Sequence, residues 1–240
     1  MRFSDIISLG MDWLIYALLL AIICGAAFFI GYRLIYKKLC KGKKTLPLPR
    51  FLLYAMFFCY IIVVLGVTLL ERQGYVTMGF RLTPFYSYIE AWNQYKDADW
   101  RNIILNIFML VPFGLLLPYI AKPFRKFIPT AAAGMVFTLF IEMAQLMLKR
   151  GIFETDDLIN NTMGVLIGYG FYRLADYIYN RIKKDKTKLA SVLLCQIPLF
   201  ITVIAFSSIF ATHHLKELGN LNCRYIIKGH PQSVTCNATF

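Results

Sequence analysis

Charged residues are scarce in this sequence. Asp, Glu, Lys and Arg make up only 16% of its 240 residues, whereas 58% are hydrophobic, and the mean hydropathy is +0.58. Soluble domains carry a charge on about a quarter of their residues, so this composition excludes an ordinary soluble domain. Histidine is also rare, with three copies, and the six cysteines show no C-x-x-C spacing. We therefore expect neither a metal site nor a cofactor.

The chain also lacks a Gly/Ser-rich linker, a low-complexity tract and a recognisable internal repeat. Many transporter folds are built from inverted repeats. The lack of a repeat therefore disfavours a proton-coupled transporter that would use Glu142, relative to a binding protein or an enzyme.

The sequence does contain several long apolar runs. A helix needs about 20 apolar residues to cross a bilayer, and six runs approach that length. The first run is too long for a cleaved signal peptide and has Asp5 and Asp12 at its start. We predict an all-α polytopic membrane helix bundle with spans near 12–35, 51–70, 102–121, 127–148, 157–178 and 189–211.

These runs divide the chain into four parts. A first transmembrane helix and a basic turn occupy residues 1–50, and a four-helix core occupies 51–178. A sixth helix at 179–211 and an external tail at 212–240 follow, and an aromatic external loop joins spans two and three. Since Cys223 and Cys236 share the tail, we predict a disulfide between them.

The basic residues are distributed unevenly. Sixteen of the 26 lie in three turns, 33–50, 122–126 and 173–188, which hold only two acidic residues. Basic turns stay in the cytoplasm, so both termini are expected to be extracytoplasmic in a multi-pass cell-membrane protein. The positive charge then serves topology and contact with membrane lipid, and we expect no nucleic-acid partner.

The fourth predicted span carries a polar stripe. Thr138, Glu142, Gln145 and Lys149 are spaced by four, three and four residues, which places them on one helix face. An unpaired carboxylate within a membrane costs several kcal/mol or becomes protonated. Arg101 or Arg150, at the predicted outer boundary, is therefore the expected partner of Glu142.

The fifth predicted span begins with a second polar group. Thr155 or Asp156 is expected to cap its N-terminus, where the helix dipole also favours Asp157. Two glycines follow, and they would let a neighbouring helix approach closely. Residues expected to share one face are Asp157, Asn160 or Asn161, Gly164 and Gly168.

The third predicted span adds Asn102 and Asn106, four residues apart, before a proline-containing stretch, 111–118, that should kink or break the helix. Three helices thus bring amides and carboxylates to one depth, and we expect a polar cavity open to the outer leaflet. Interhelical bonding and helix capping are the structural alternatives. Candidate ligand-binding residues are Phe85, Arg101, Asn102, Asn106, Gln145, Arg150, Asp156, Asn160 and Asn161.

Three stretches resemble a known family. They are "FRLTPF" at 80–85, "NIILNIFMLVPFGLLLP" at 102–118 and "FTLFIEMAQLMLKRGIFETDDLINNTMGVLIGY" at 137–169. They are similar in order and spacing to motifs of the VanZ-like family of bacterial membrane proteins, with Leu82 replacing a usual asparagine. The resemblance covers about 50–175. It implies an association with low-level resistance to the lipoglycopeptide teicoplanin, and it carries over no catalytic residue.

Two functions fit these residues. The first is a binding protein whose partner is an envelope lipid, a lipoglycopeptide or a cell-wall precursor, held between spans three, four and five under the aromatic loop. Arg101 and Arg150 would contact an anionic head group, and Glu142 and Asp157 would contact sugars or amines. The second is an intramembrane enzyme that modifies an envelope lipid or wall precursor, with Glu142 as general acid or base. Asp157 would orient Glu142 or bind a divalent cation, and Arg150 would stabilise a phosphate. Glu142→Gln separates them, because binding should survive that change and acid–base catalysis should not.

Overall fold

The computed structural model describes residues 47–70, 79–94, 97–182 and 189–212. It also describes five residues of the first predicted span, at positions 15, 18, 19, 22 and 23, all of them helical. The predicted Cys223–Cys236 disulfide lies outside the described residues, as does most of the first span.

The described residues are mostly helical, as the apolar runs predict. The helix at Leu48–Leu65 continues as a short π-helix at Gly66–Leu70, and a 3₁₀ turn at Lys122–Arg125 precedes the helix that begins at Phe127. Two short strands, β1 (Phe80–Arg81) and β2 (Phe153–Glu154), pair in parallel. The helices are α1 (Leu48–Leu65), α2 (Tyr86–Gln94), α3 (Asp97–Met109), α4 (Val111–Ile120), α5 (Phe127–Met147), α6 (Thr155–Ile182), α7 (Leu189–Leu194) and α8 (Ile197–Thr212).

Within the described ranges, three helical stretches are long and apolar enough to cross a membrane: Leu48–Leu70, Ala98–Ile120 and Phe127–Met147. Helix α6 has 28 residues but is not among them, since its first turns are rich in acid and amide. An integral membrane bundle is therefore supported, and a total of six spans stays a prediction.

The third predicted span is interrupted where its prolines begin. Leu110 separates α3 from α4 with a backbone conformation of φ −99° and ψ 6°. Pro112 lies in the first turn of α4, where its missing N–H has no helical partner to lose. The predicted break is therefore confirmed, and the two halves are separate helices.

Helix α6 is the centre of the bundle and packs against α3, α4 and α5. A Cβ atom on Gly164 would lie 2.0 Å from the carbonyl oxygen of Ile107, and one on Gly168 would lie 2.0 Å from that of Val111. A Cβ atom on Gly114 of α4 would lie at the same distance from the Val165 carbonyl oxygen. The close helix approach predicted for Gly164 and Gly168 is confirmed.

The predicted sixth span is not one continuous helix. A turn at Cys195–Gln196 ends α7 and precedes α8. Pro198 follows this turn, and since proline has no N–H it cannot extend the hydrogen-bond ladder of α7. Helix α7 packs on α6, where Arg173 Nη2 donates to Ser191 Oγ at 3.2 Å.

Candidate functional site

Seven polar side chains are buried where α5 ends and α6 begins. We call them the polar cluster. Three of the four residues in the predicted stripe on α5 belong to it, while Lys149, the fourth, is exposed. The members are Thr138, Glu142 and Gln145 of α5 and Asp156, Asp157, Asn160 and Asn161 of α6, none of them more than 8% exposed.

The α5 members contact three different parts of the chain. Thr138 Oγ1 accepts a hydrogen bond of 2.8 Å from Asn161 Nδ2 on α6. Glu142 Oε2 accepts one of 3.2 Å from the backbone N–H of Glu154 in β2. Gln145 Nε2 donates to the carbonyl oxygen of Thr68 at 3.1 Å. The stripe therefore joins α5 to α6, to β2 and to the π-helical end of α1.

Asp157 connects α6 to α3, because its Oδ1 accepts a hydrogen bond of 2.5 Å from Asn106 Nδ2. Asn102, one turn earlier on α3, is exposed. The structure thus brings Asn106 to the cluster and leaves Asn102 outside it. The four-residue spacing predicts that Asn102 and Asn106 share a face of α3. It does not predict how far along α3 the contact with α6 extends.

Asp156 caps a helix other than its own. Its carboxylate accepts backbone hydrogen bonds at the N-terminus of α2, from Phe85 N at 2.5 Å and Ser87 N at 2.7 Å. Of the two residues expected to cap the fifth span, Thr155 or Asp156, the second therefore caps α2 instead. Helix α6 already begins at Thr155, so Asp156 projects from its first turn toward the free N–H groups of α2.

Phe85 takes part through its backbone. Its φ of 61° lies in the left-handed region, which is uncommon for an aromatic residue. This conformation accompanies the backbone hydrogen bond to Asp156, while the Phe85 side chain stays 55% exposed. An exposed aromatic ring suits the interfacial role expected for this loop.

The turn after α5 is closed by its backbone. The N–H of Arg150 donates to the Gln145 carbonyl at 2.8 Å and that of Lys149 to the Leu146 carbonyl at 3.2 Å. Lys149 has φ 53°, so the pair forms a Schellman-type helix end. Arg150 Nη1 also donates to the Leu70 carbonyl at 3.4 Å. Pairing of Glu142 with Arg150 or with the half-buried Arg101 stays a prediction.

Arg81 is a site residue that sequence reasoning missed. The parallel pairing sets Phe80 opposite Phe153 and Arg81 opposite Glu154. Arg81 Nη1 lies 3.1 Å from Glu154 Oε1 and 3.8 Å from Glu90 Oε2, and its guanidinium is 4.5 Å from the Tyr86 ring centroid. Its place in "FRLTPF" was the only signal in the sequence, because the two paired strands are far apart along the chain.

Tyr88 is a second residue that was missed. Its hydroxyl donates to Asn160 Oδ1 at 2.5 Å, and its ring packs edge-on against Phe85 and Trp100. Burial and the nearby negative charge of Asp156 raise the pKa of Tyr88 to about 12. Tyr88 therefore stays protonated at neutral pH and can donate this bond.

Three buried polar atoms at this site have no hydrogen-bond partner. They are Asn160 Nδ2, Asn161 Oδ1 and Ser87 Oγ. Buried polar atoms are nearly always paired, so each unpaired one calls for an explanation. As for metal ions, the described part of the chain has no group of three or more His, Cys, Asp or Glu placed to hold one.

The comparisons with known proteins concern this same region. Residues 51–176 match the model of the VanZ/LLP1 family. "Protein VanZ" of Enterococcus faecium is 28% identical over 134 residues, which cover 53% of this chain and 77% of that protein. No solved structure matches the chain. The matched residues extend from α1 into α6 and include the whole polar cluster.

Proposed function

The chain belongs to the VanZ/LLP1 family, and from this premise we propose that it is an integral membrane protein of the bacterial cell envelope that binds an amphiphile. The ligand is an envelope lipid or an amphiphilic glycopeptide, in line with the low-level teicoplanin resistance that the family resemblance implies. The polar cluster holds the polar head of the ligand.

Burial of the polar cluster is the observation that carries this proposal. Taking polar and ionisable groups out of water is costly unless each is bonded, and in membrane proteins such groups usually mark functional sites. Glu142 and Gln145 are each 1% exposed, although both lie in an apolar helix long enough to span a bilayer. Apolar residues would fill the same volume at lower cost, so the polar side chains have a use besides packing.

The segment 79–94 covers this end of α6. Asp156 bonds the N-terminus of α2, Asn160 bonds Tyr88, and Glu154 bonds Arg81. In the proposed function, this segment lies over the bound head group. Its exposed aromatic rings, Phe85 and Tyr86, lie against the membrane interface.

A second candidate function is acid–base catalysis on an envelope lipid, and the burial of Glu142 is the observation in its favour. A buried carboxyl group in a membrane helix is a candidate general acid or base. Asp157 would be the second carboxylate in that case, held by Asn106 on α3.

Native mass spectrometry of the purified protein distinguishes the two candidates. Wild type is compared with Glu142→Gln, and Glu90→Gln is the matched control in the external segment. Under the binding proposal, wild type and both variants retain the same envelope amphiphile. If Glu142→Gln alone traps a species absent from wild type, the protein turns its ligand over. Preparations that carry no amphiphile at all contradict both candidates.

The orientation of the termini is part of the proposal and rests on the uneven charge of the turns. In a variant without native cysteines, a cysteine replacing Lys43 should react with a membrane-impermeant maleimide only after the cells are permeabilised. A cysteine replacing Ser233 in the tail should react in intact cells. Labelling of the Lys43 position in intact cells would reverse the topology.

A further inference from the structure

We propose that the polar cluster receives the sugar head group of a membrane glycolipid, and that Ser87, Asn160 and Asn161 supply its unfilled hydrogen bonds. This inference rests on the proposed function, because it names the chemical class of the amphiphile. It starts from the three buried atoms that have no partner: Asn160 Nδ2, Asn161 Oδ1 and Ser87 Oγ.

Helix geometry places Ser87 and Asn160 at one contact between two helices. Asp156 and Asn160 are four residues apart on α6 and therefore share a face. Asp156 binds the backbone N–H of Ser87, and Asn160 binds the hydroxyl of the next residue, Tyr88. Ser87 Oγ and Asn160 Nδ2 thus belong to the same contact between α2 and α6.

Asn161 extends the site toward α5. Its Nδ2 donates to Thr138 Oγ1 at 2.8 Å, which leaves Oδ1 as the unfilled atom. Both asparagines are 1% exposed, so bulk water does not supply the missing partners. The three atoms offer an amide donor, an amide acceptor and a hydroxyl that can do either.

The charge of the cluster selects the class of ligand. Three carboxyl groups, those of Glu142, Asp156 and Asp157, are buried in the cluster, whereas Arg150, in the turn between α5 and α6, is half-buried. A phosphate head group would face these carboxylates in a medium of low dielectric constant, where like charges repel strongly. Sugar hydroxyl groups are neutral, and each both donates and accepts, so they suit unfilled amides and carboxylate oxygens together.

The surroundings of the cluster favour a lipid-linked sugar over a free one. Glu142 lies on α5 between apolar residues that are themselves exposed, such as Leu139, Phe140 and Met143 at 42%, 55% and 42%. In an apolar helix of membrane-spanning length, such side chains face acyl chains. A ligand anchored in the bilayer therefore reaches the site along a surface that suits its own tail.

A competition between two lipids tests the inference. Wild type is placed in nanodiscs with equal amounts of diglucosyl-diacylglycerol and phosphatidylglycerol of the same acyl chains, and retained lipid is counted by native mass spectrometry. We expect the glucolipid to be retained preferentially. Ser87→Ala should lower that preference about fivefold, the effect of one lost hydrogen bond. Its backbone bond to Asp156 stays intact, so the fold is preserved.

Tyr88→Phe is the matched control for Asn160→Leu. Both remove the Tyr88–Asn160 hydrogen bond, but only Asn160→Leu also removes Nδ2. A larger loss of preference in Asn160→Leu than in Tyr88→Phe supports a role of Nδ2 in binding the sugar.

Four results would contradict the inference, and they differ in what they say about the proposed function. Equal preference in wild type, Ser87→Ala and Asn160→Leu means that water alone fills the site. Preferential retention of phosphatidylglycerol refutes the sugar while amphiphile binding stands. Displacement of the glucolipid by an equal concentration of the free disaccharide refutes the lipid anchor. Retention of neither lipid refutes the inference, while the proposed function is refuted only if protein purified from its own membrane also carries no amphiphile.

Discussion

The carboxylate of Asp156 lies at the N-terminus of a helix 69 residues earlier in the chain, where it accepts a hydrogen bond of 2.7 Å from the backbone N–H of Ser87. A negative charge at this position satisfies free N–H groups and interacts favourably with the helix dipole. Because Asp156 is itself 2% exposed, one side chain joins the segment 79–94 to the core of the bundle.

Replacing Asp156 should loosen α2 before it affects the bundle. Asp156→Ala leaves two backbone N–H groups without their acceptor, at a cost of about 1–3 kcal/mol. Hydrogen exchange of the amides in 85–94 should therefore accelerate about tenfold or more, and less in Asp156→Asn, which keeps one acceptor. Asp176→Asn, near the other end of α6, is the control. Unchanged protection of 85–94 in Asp156→Ala would show that other contacts hold α2.

Any residue with a Cβ atom in place of Gly164 should destabilise the protein. An added Cβ would lie 2.0 Å from the Ile107 carbonyl oxygen, and a backbone atom cannot move aside without separating α3 from α6. We expect Gly164→Ala to destabilise the protein by about 3 kcal/mol, the upper part of the usual range for overpacking. Thermal unfolding in detergent measures this.

Gly134→Ala provides the comparison, because its Cβ would meet side-chain atoms of Val165 at 2.6–2.9 Å. Adding Val165→Ala should restore part of the stability lost in Gly134→Ala and none of that lost in Gly164→Ala. Equal rescue of both would contradict the backbone clash at Gly164.

Replacing Lys149 by glycine should stabilise the protein. Its φ of 53° is a left-handed conformation that costs a residue with a Cβ roughly 1–2 kcal/mol, and glycine is the usual residue at this helix end. Since Lys149 is exposed, Lys149→Gly should raise the free energy of unfolding by about 1 kcal/mol. Lys149→Ala keeps the Cβ and should bring no gain. Equal stability of Lys149→Gly and Lys149→Ala would contradict an effect of the left-handed conformation at this residue.

Because of Tyr88, the stability of the protein should vary with pH in the alkaline range. Its pKa is raised from 10 to about 12 by burial and by Asp156. The folded state therefore binds the Tyr88 proton more tightly than the unfolded state does. This adds to the free energy of unfolding at pH values below the unfolded pKa, near 10, and the addition is lost as the pH rises through about 12. The wild-type thermal midpoint should therefore fall more than that of Tyr88→Phe between these pH values, with Tyr86→Phe following wild type. Parallel curves for wild type and Tyr88→Phe would contradict this.

Much of the fold is predictable because it depends on local patterns. Apolar runs predict the helices that became α1, α5 and α6, and Pro112 predicts the break between α3 and α4, whereas Pro118 lies inside α4. The turn at Cys195–Gln196 shows the limit of such reasoning. The run 189–211 contains no charged residue, and hydropathy does not register that Pro198 lacks an N–H.

The sequence predicts which residues belong to the candidate site better than it predicts which hydrogen bonds they make. Burial of Glu142 and Gln145 follows from their spacing on an apolar helix, since polar groups in a membrane helix face the protein interior. Their partners, the backbone of Glu154 and Thr68, carry no sequence signal, because any residue has a backbone N–H and carbonyl. For the same reason, the capping of α2 by Asp156 was missed.

Hydropathy, helical spacing and short motifs are local properties, and they suffice to predict an apolar, helical, membrane-type chain with one polar region and a VanZ-like core. Three features follow from the three-dimensional packing alone: β1 pairs with β2, Asp156 and Asn160 bind α2, and Asn106 bonds the polar cluster while Asn102 stays exposed. These contacts join residues far apart in the chain. Which of them meet depends on how closely α3 and α4 approach α6, and that distance is set by backbone contact at Gly164 and Gly168.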